Sequence, residues 1–103
     1  MTQTIASLKP FEAARDTSSP NRNLAPVTTC LDEQDRLVVG GCVLSELAQR
    51  YGTPLYVLDE ETVRGTCRAY RDALKRHYPG ESLPVYASKA NSSLLMSSIA
   101  AAE

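Results

Sequence analysis

Tryptophan is absent, and the 103 residues contain a single phenylalanine and a single histidine. With so few large aromatic anchors, any core must be built mainly from aliphatic side chains, for which a hydrophobic content of 43% suffices. The lone histidine, His77, has no closely spaced second ligand, which excludes a histidine-based metal site and leaves it a helix-end residue. Three cysteines, Cys30, Cys42 and Cys67, form no CxxC pair. Their odd number and wide spacing exclude a disulfide framework and point to free thiols in a reducing compartment, each serving as a small packing residue. No apolar run approaches the ~20 residues of a membrane span. The N-terminus lacks the charged start and apolar core of a secretory signal, and Glu12 and Asp16 count against a transit peptide despite the nearby Ser, Thr and Arg. A net charge of −1 removes any general attraction to nucleic acid or anionic lipid. These absences together lead to the expectation of a cytoplasmic chain with neither a nucleic-acid nor a membrane partner.

What is present falls into three stretches. Residues 1–34 are rich in Thr, Ser, Asn and Pro, and "DTSSPNRN" (Asp16 to Asn23) has no hydrophobic period, so the stretch reads as a flexible, solvated leader. From Asp35 the pattern becomes ordered. "RLVV" (Arg36 to Val39) is a short strand closed by Gly40-Gly41, a turn rather than a dinucleotide fingerprint because the third glycine is missing. Val43, Leu44, Leu47, Ala48 and Tyr51 then share one helical stripe. Gly52 suits the left-handed position after that helix, and Pro54 stops its continuation. "LYVLD" (Leu55 to Asp59) is apolar on alternate and intervening positions, as in a strand covered on both faces.

Asp59 is a natural N-cap, and Glu60 and Glu61 in the next turn complement the helix dipole. From there to Tyr78 the spacing predicts a helix with Val63, Cys67, Tyr70, Ala73, Leu74 and His77 inward. Arg64, Arg68, Arg71, Lys75 and Arg76 fall largely on the other faces; five basic residues could suggest an anion-binding surface, but a solvated outer face is the better reading, since Asp72 can pair with Arg68 and Arg76. Pro79-Gly80 turns the chain, "LPVYA" (Leu83 to Ala87) is extended, and Asn91, Ser92 or Ser93 can cap a last helix. In that helix Leu95, Ile99 and Ala102 form the buried stripe, flanked by Leu94 and Met96. Helices alternating with short strands indicate α/β units with parallel strands, although 103 residues are too few for a complete barrel or doubly wound enzyme.

The segment "VYASKAN" (Val85 to Asn91) sets Lys89 at the end of a strand candidate, just ahead of the last helix. A lysine there can simply snorkel into water. It can also be chemical: a helix N-terminus and partial burial beside Val85 and Tyr86 would both disfavour an ammonium ion, and lysines so placed form Schiff bases. In a parallel barrel the C-terminal strand ends face the active site, so a lysine in this position would reach it.

"VYASKAN" resembles the Y-A-x-K-A-N segment of the alanine-racemase-type barrel family of pyridoxal-phosphate enzymes, in particular its decarboxylase branch. Upstream, "GGCVLSELAQRYGTPLYVLDEETVR" (Gly40 to Arg64) is similar to the approach segment of the diaminopimelate decarboxylases, most closely at Gly52 to Asp59. The likeness runs from about Arg36 to Glu103. It implies a (β/α)8 barrel of ~250 residues, of which this chain holds the start. Residues 35–59 would be a strand-helix-strand approach contributing to a separate β-domain, and residues 60–103 the first, truncated part of the barrel.

On this resemblance Lys89 is the catalytic residue and holds pyridoxal 5'-phosphate as a Schiff base. Tyr86 and Ala87 are cofactor-binding residues lining the barrel entrance, Asn91 supports the turn, and no metal is involved. Ser88 stands where the family commonly has a hydrophobic residue, and strand alternation points it away from Lys89. The family's Gly-rich phosphate loop, the acid facing the pyridine nitrogen, the substrate-binding arginines and the cysteine given by the partner subunit lie downstream. The reaction implied is decarboxylation of meso-diaminopimelate to L-lysine, by a homodimer when full length, with these 103 residues alone inactive. Ornithine- or arginine-type decarboxylases and racemases of the same fold remain alternatives, as does a non-catalytic interaction module.

Overall fold

The computed structural model describes residues 8–10 and 24–103. It resolves into two compact units, one extending to Asp59 and the other running from Glu60 to Glu103. Most of the stretch read as a leader, including Asp16 to Asn23, lies outside the described residues.

The first unit is a small antiparallel sheet with one helix. Its strands are β1 (Lys9–Pro10), β2 (Cys30–Leu31), β3 (Leu37–Val39) and β4 (Cys42–Val43), in the order β1-β2-β3-β4. Cys30 pairs with Val38, and Val38 in turn with Val43. Two strands therefore fall within the stretch expected to be flexible. They are two residues long, too short to show any period, and are held by pairing rather than by pattern.

Local chemistry explains both hairpins. Between β2 and β3, the Asp32 carboxylate accepts the backbone N–H groups of Gln34 and Arg36 at 2.9 Å each and the Arg36 Nε at 2.7 Å. This folds the loop back on itself and places Asp35 at φ 58°. The donated Arg36 backbone N–H, helped by the Arg36 guanidinium, holds the Asp32 carboxyl below its ordinary value. Arg36 also reaches Glu46 at 3.1 Å, tying the loop to the helix that follows. Between β3 and β4, Gly40 and Gly41 take φ 56° and 79°, the positive values a two-residue hairpin turn demands. Gly40 donates its N–H to Thr28 Oγ1 at 2.8 Å.

Val38 and Val39 are both buried. Successive strand residues point to opposite faces, so β3 is covered on both. Helix α1 (Leu44–Tyr51) lies against β3 and β4, with Leu44, Leu47 and Ala48 half-buried. Tyr51, placed on the inward stripe by its spacing, is instead exposed, with the Arg50 guanidinium 5.3 Å from its ring centre. Gly52 closes the helix at φ 84°, donating its N–H to Ala48 O. Cys42, expected to pack, is exposed; Cys30 and Cys67 are half-buried, and all three thiols are free.

The second unit is α2 (Glu60–His77), a single 3-10 turn (Ser88–Ala90) and α3 (Leu94–Ala102). The expected strands at Leu55–Leu58 and Leu83–Ala87 carry no ladder pairing. Apart from the half-buried Tyr86 their apolar side chains are exposed, Tyr56 and Val85 strongly so. A strand needs a neighbour to satisfy its backbone, and among the described residues neither segment has one. The observed sheet is accordingly antiparallel and made from residues N-terminal to α1, not the parallel arrangement that the helix-strand alternation suggested.

Candidate functional site

The end of α2 sets up the region around Lys89. Tyr78 makes the last helical hydrogen bond, its N–H to Leu74 O at 2.9 Å, before Pro79 and Gly80 turn the chain. Seven residues later the backbone tightens into the 3-10 turn, closed by the Ala90 N–H on Ala87 O at 3.1 Å. Tyr86 precedes the turn and Asn91 follows it. The Tyr86 hydroxyl donates to the Asn91 carbonyl at 3.0 Å, bracing the arc that carries Ala87, Ser88, Lys89 and Ala90.

The same residues start α3. Asn91 Oδ1 accepts the Ser93 N–H at 3.1 Å, and Ser93 Oγ accepts the Met96 N–H at 3.3 Å. Ser93 is thus the N-cap among the three residues that sequence offered. The helix starts at Leu94, so Lys89 stands in its own turn, beyond the first turn of α3 where the positive helix end acts. Lys89 and Val85 are exposed, and Tyr86 is half-buried. Partial burial of the lysine, one of two reasons for expecting a chemical role, is therefore absent from the 103-residue chain. Among the described residues the Lys89 ammonium has no ion pair or hydrogen bond, which leaves its amine accessible.

A second charged constellation was not foreseen. Arg64, Arg68 and Arg71 occur at i, i+4 and i+7, on one face of α2, and converge on Glu103 just past α3. Arg64 Nη1 reaches Glu103 Oε1 at 3.0 Å. Arg68 takes both oxygens, through Nε at 2.9 Å and Nη2 at 3.1 Å, in the two-pronged geometry guanidinium favours. Arg71 donates to the Glu103 main-chain oxygen at 2.8 Å. The Arg68 and Arg64 guanidiniums pull the Glu103 carboxyl down to about 2; the carboxylate in turn raises Arg68, while Arg64 is raised first by Glu60 and then by Glu103. Asp72, expected to pair with Arg68 and Arg76, instead holds Arg71 at 3.1 Å, while its backbone oxygen accepts from Arg76.

This clasp lies in line with the buried face of α3. Met96 and Ile99 are buried, whereas Leu94, Leu95 and Ala102 are exposed. The expected stripe through Leu95, Ile99 and Ala102 is thus rotated by one residue, so that Glu103 falls in line with Met96 and Ile99. On α2, Tyr70 and His77 are exposed rather than inward.

No helix among the described residues is long and apolar enough to cross a membrane. Two features therefore characterise the second unit: an accessible lysine in a braced turn between two helices, and the ion clasp that joins those helices. Comparison with known proteins places the chain beside amino-acid carboxy-lyases. In particular, its sequence is homologous to diaminopimelate decarboxylases over most of its length. It is 46% identical over 85 residues to the diaminopimelate decarboxylase of Synechocystis sp., an alignment that takes in 82% of this chain and 18% of that protein. With the diaminopimelate decarboxylase of Actinosynnema pretiosum it shares 40% identity over 84 residues, 79% of this chain and 19% of the other. The corresponding figures for Bacillus methanolicus are 38% over 76 residues, 74% and 17%. The chain thus spans about a fifth of the length of the curated relatives it matches. No family model matches it, and no solved structure does.

Proposed function

We propose that this chain is the cofactor-lysine segment of a pyridoxal-phosphate-dependent diaminopimelate decarboxylase, acting on meso-diaminopimelate to give L-lysine and CO2. The observation that carries the reading is the 46% identity to the Synechocystis enzyme across 82% of the chain. In this reading residues 35–59 approach the barrel from a separate β-domain, and residues 60–103 begin the barrel. The exposed apolar residues Leu83, Val85, Leu94 and Leu95 then gain cover from the rest of the enzyme. Such an enzyme is a cytoplasmic homodimer, and the 103 residues on their own do not turn over substrate.

Pyridoxal phosphate, when bound, supplies an electron sink for the bond that loses CO2. The residues here fit its tethering but not its full enclosure. The Lys89 amine is accessible and unpaired among the described residues, as covalent capture of an aldehyde requires. Lys89 is the attachment point, and the Tyr86 ring and Ala87 flank it at the barrel entrance. Exchanging the matching segment of the Synechocystis enzyme for residues 36–103 tests the reading. The expected chimera releases CO2 from meso-diaminopimelate in preference to ornithine or arginine. A folded chimera that decarboxylates only ornithine or arginine contradicts the substrate, and one that binds the cofactor without Lys89 contradicts the site.

A further inference from the structure

The Tyr86 hydroxyl is already committed. It donates to the Asn91 carbonyl at 3.0 Å, across the turn on which Lys89 stands. Asn91 is engaged twice, through this carbonyl and through Oδ1, which accepts the Ser93 N–H at 3.1 Å. Ser93 in turn caps α3 through Met96 N–H, and Met96 is one of the two buried apolar side chains of this unit among the described residues. A continuous run of hydrogen bonds thus leads from the tyrosine before the lysine, over the turn, into the helix that packs on α2. Ala90 N–H meets Ala87 O at 3.1 Å within the turn, and the Tyr86 hydroxyl spans it from the residue before to the residue after. A short, exposed 3-10 turn samples other shapes unless its ends are fixed.

We infer that Tyr86 is a positioning residue for Lys89: its hydroxyl acts through Asn91 to fix the lysine turn to the start of α3, rather than meeting the cofactor itself. This rests on the reading of Lys89 as the cofactor lysine, but its first test does not. In the 103-residue chain, Tyr86→Phe keeps the ring and removes the donor. Backbone amide exchange measured by NMR is expected to quicken roughly 2- to 10-fold at Ala90 and Ser93, the range that follows from losing one ordinary hydrogen bond. Asn91→Ala is expected to speed Ser93 and Met96 by a similar factor. Asn91→Asp, which keeps both the carbonyl and a side-chain acceptor, is expected to stay near the parent. Exchange at Ala90 unchanged in Tyr86→Phe overturns the inference.

The second readout uses the decarboxylase chimera, treated with pyridoxal phosphate, reduced with borohydride and mapped. Lys75, the other lysine of this chain that the chimera carries, provides a baseline. Tyr86→Phe is expected to slow labelling of Lys89 several-fold and leave Lys75 unchanged. Equal slowing at both lysines, or none at either, counts against a positioning role. Label in the parent chimera on a lysine other than Lys89 instead refutes the functional reading, and the exchange result is independent of it.

Discussion

Replacing Ile99 with alanine tests how the second unit is held together. Ile99 is 2% exposed and Met96 7%, and they are the buried apolar side chains that α3 contributes. Ile99→Ala removes carbon worth about 0.8 kcal/mol per buried methylene, or roughly 2.4 kcal/mol of transfer energy. The cavity left behind raises the cost toward the range of about 2–5 kcal/mol seen for such truncations. Alanine's better helix propensity returns only a few tenths, about 0.4 kcal/mol. Leu95→Ala is the matched control, since it removes the same number of carbons one helical turn earlier, where the side chain is 58% exposed. Its cost is expected to stay below about 1 kcal/mol. Amide exchange along α2 and α3 of the 103-residue chain reads both. Ile99→Ala is expected to strip protection from α3 and from the α2 residues facing it, while Leu95→Ala leaves both near the parent. Equal losses in the two variants, or a larger loss for Leu95→Ala, would refute the assignment of the buried face.

The remaining predictions concern charge and backbone. Glu103 has its folded value depressed from 4.5 to about 2 by Arg68 and Arg64, so the clasp contributes fully above pH 4.5 and is lost as the pH falls through about 2. NMR titration is expected to show α3 signals shifting across that window in the parent and not in Glu103→Gln; a parent carboxyl titrating at its ordinary value contradicts the clasp. Gly40→Ala places a side chain at φ 56°, with its Cβ 3.4 Å from Asp59 Oδ1, whereas Gly41→Ala at φ 79° meets nothing within 4 Å. Both are expected to lower stability by about 1–2 kcal/mol through the left-handed backbone, with Gly40→Ala at least as costly. A thermal melt in which Gly40→Ala matches or exceeds the parent would show that the turn is not of this type.

The elements legible in the sequence are those with a local cause. Helix α1 is bounded by Gly52 and Pro54, and α2 opens on Glu60 and Glu61 and ends before Pro79; each of these signals acts within a turn of itself. The Gly40-Gly41 turn was readable for the same reason. The sheet was not, because two-residue strands carry no period and their pairing joins residues far apart in the chain. Leu55–Leu58 and Leu83–Ala87 have the composition of buried strands but no partner among the described residues, and composition cannot reveal a missing neighbour. In α3 the run Leu94-Leu95-Met96 offers two adjacent apolar stripes. The buried one is in line with Glu103, whose arginine partners lie 32 to 39 residues away. The arginines' own spacing at i, i+4 and i+7 was the available signal, and preferring a solvated face over an anion-binding one passed over it. Lys89 was found through its flanking motif; the brace from Tyr86 to Asn91 required the three-dimensional course of the turn.

The most direct test of Lys89 as the cofactor lysine is borohydride reduction of the chimeric decarboxylase with pyridoxal phosphate, followed by peptide mapping, in the parent and in Lys89→Ala. The account predicts a pyridoxyl group on the peptide containing Val85 to Asn91 in the parent, and neither label nor CO2 release in the variant. Label on another lysine, or undiminished turnover in Lys89→Ala, would contradict it.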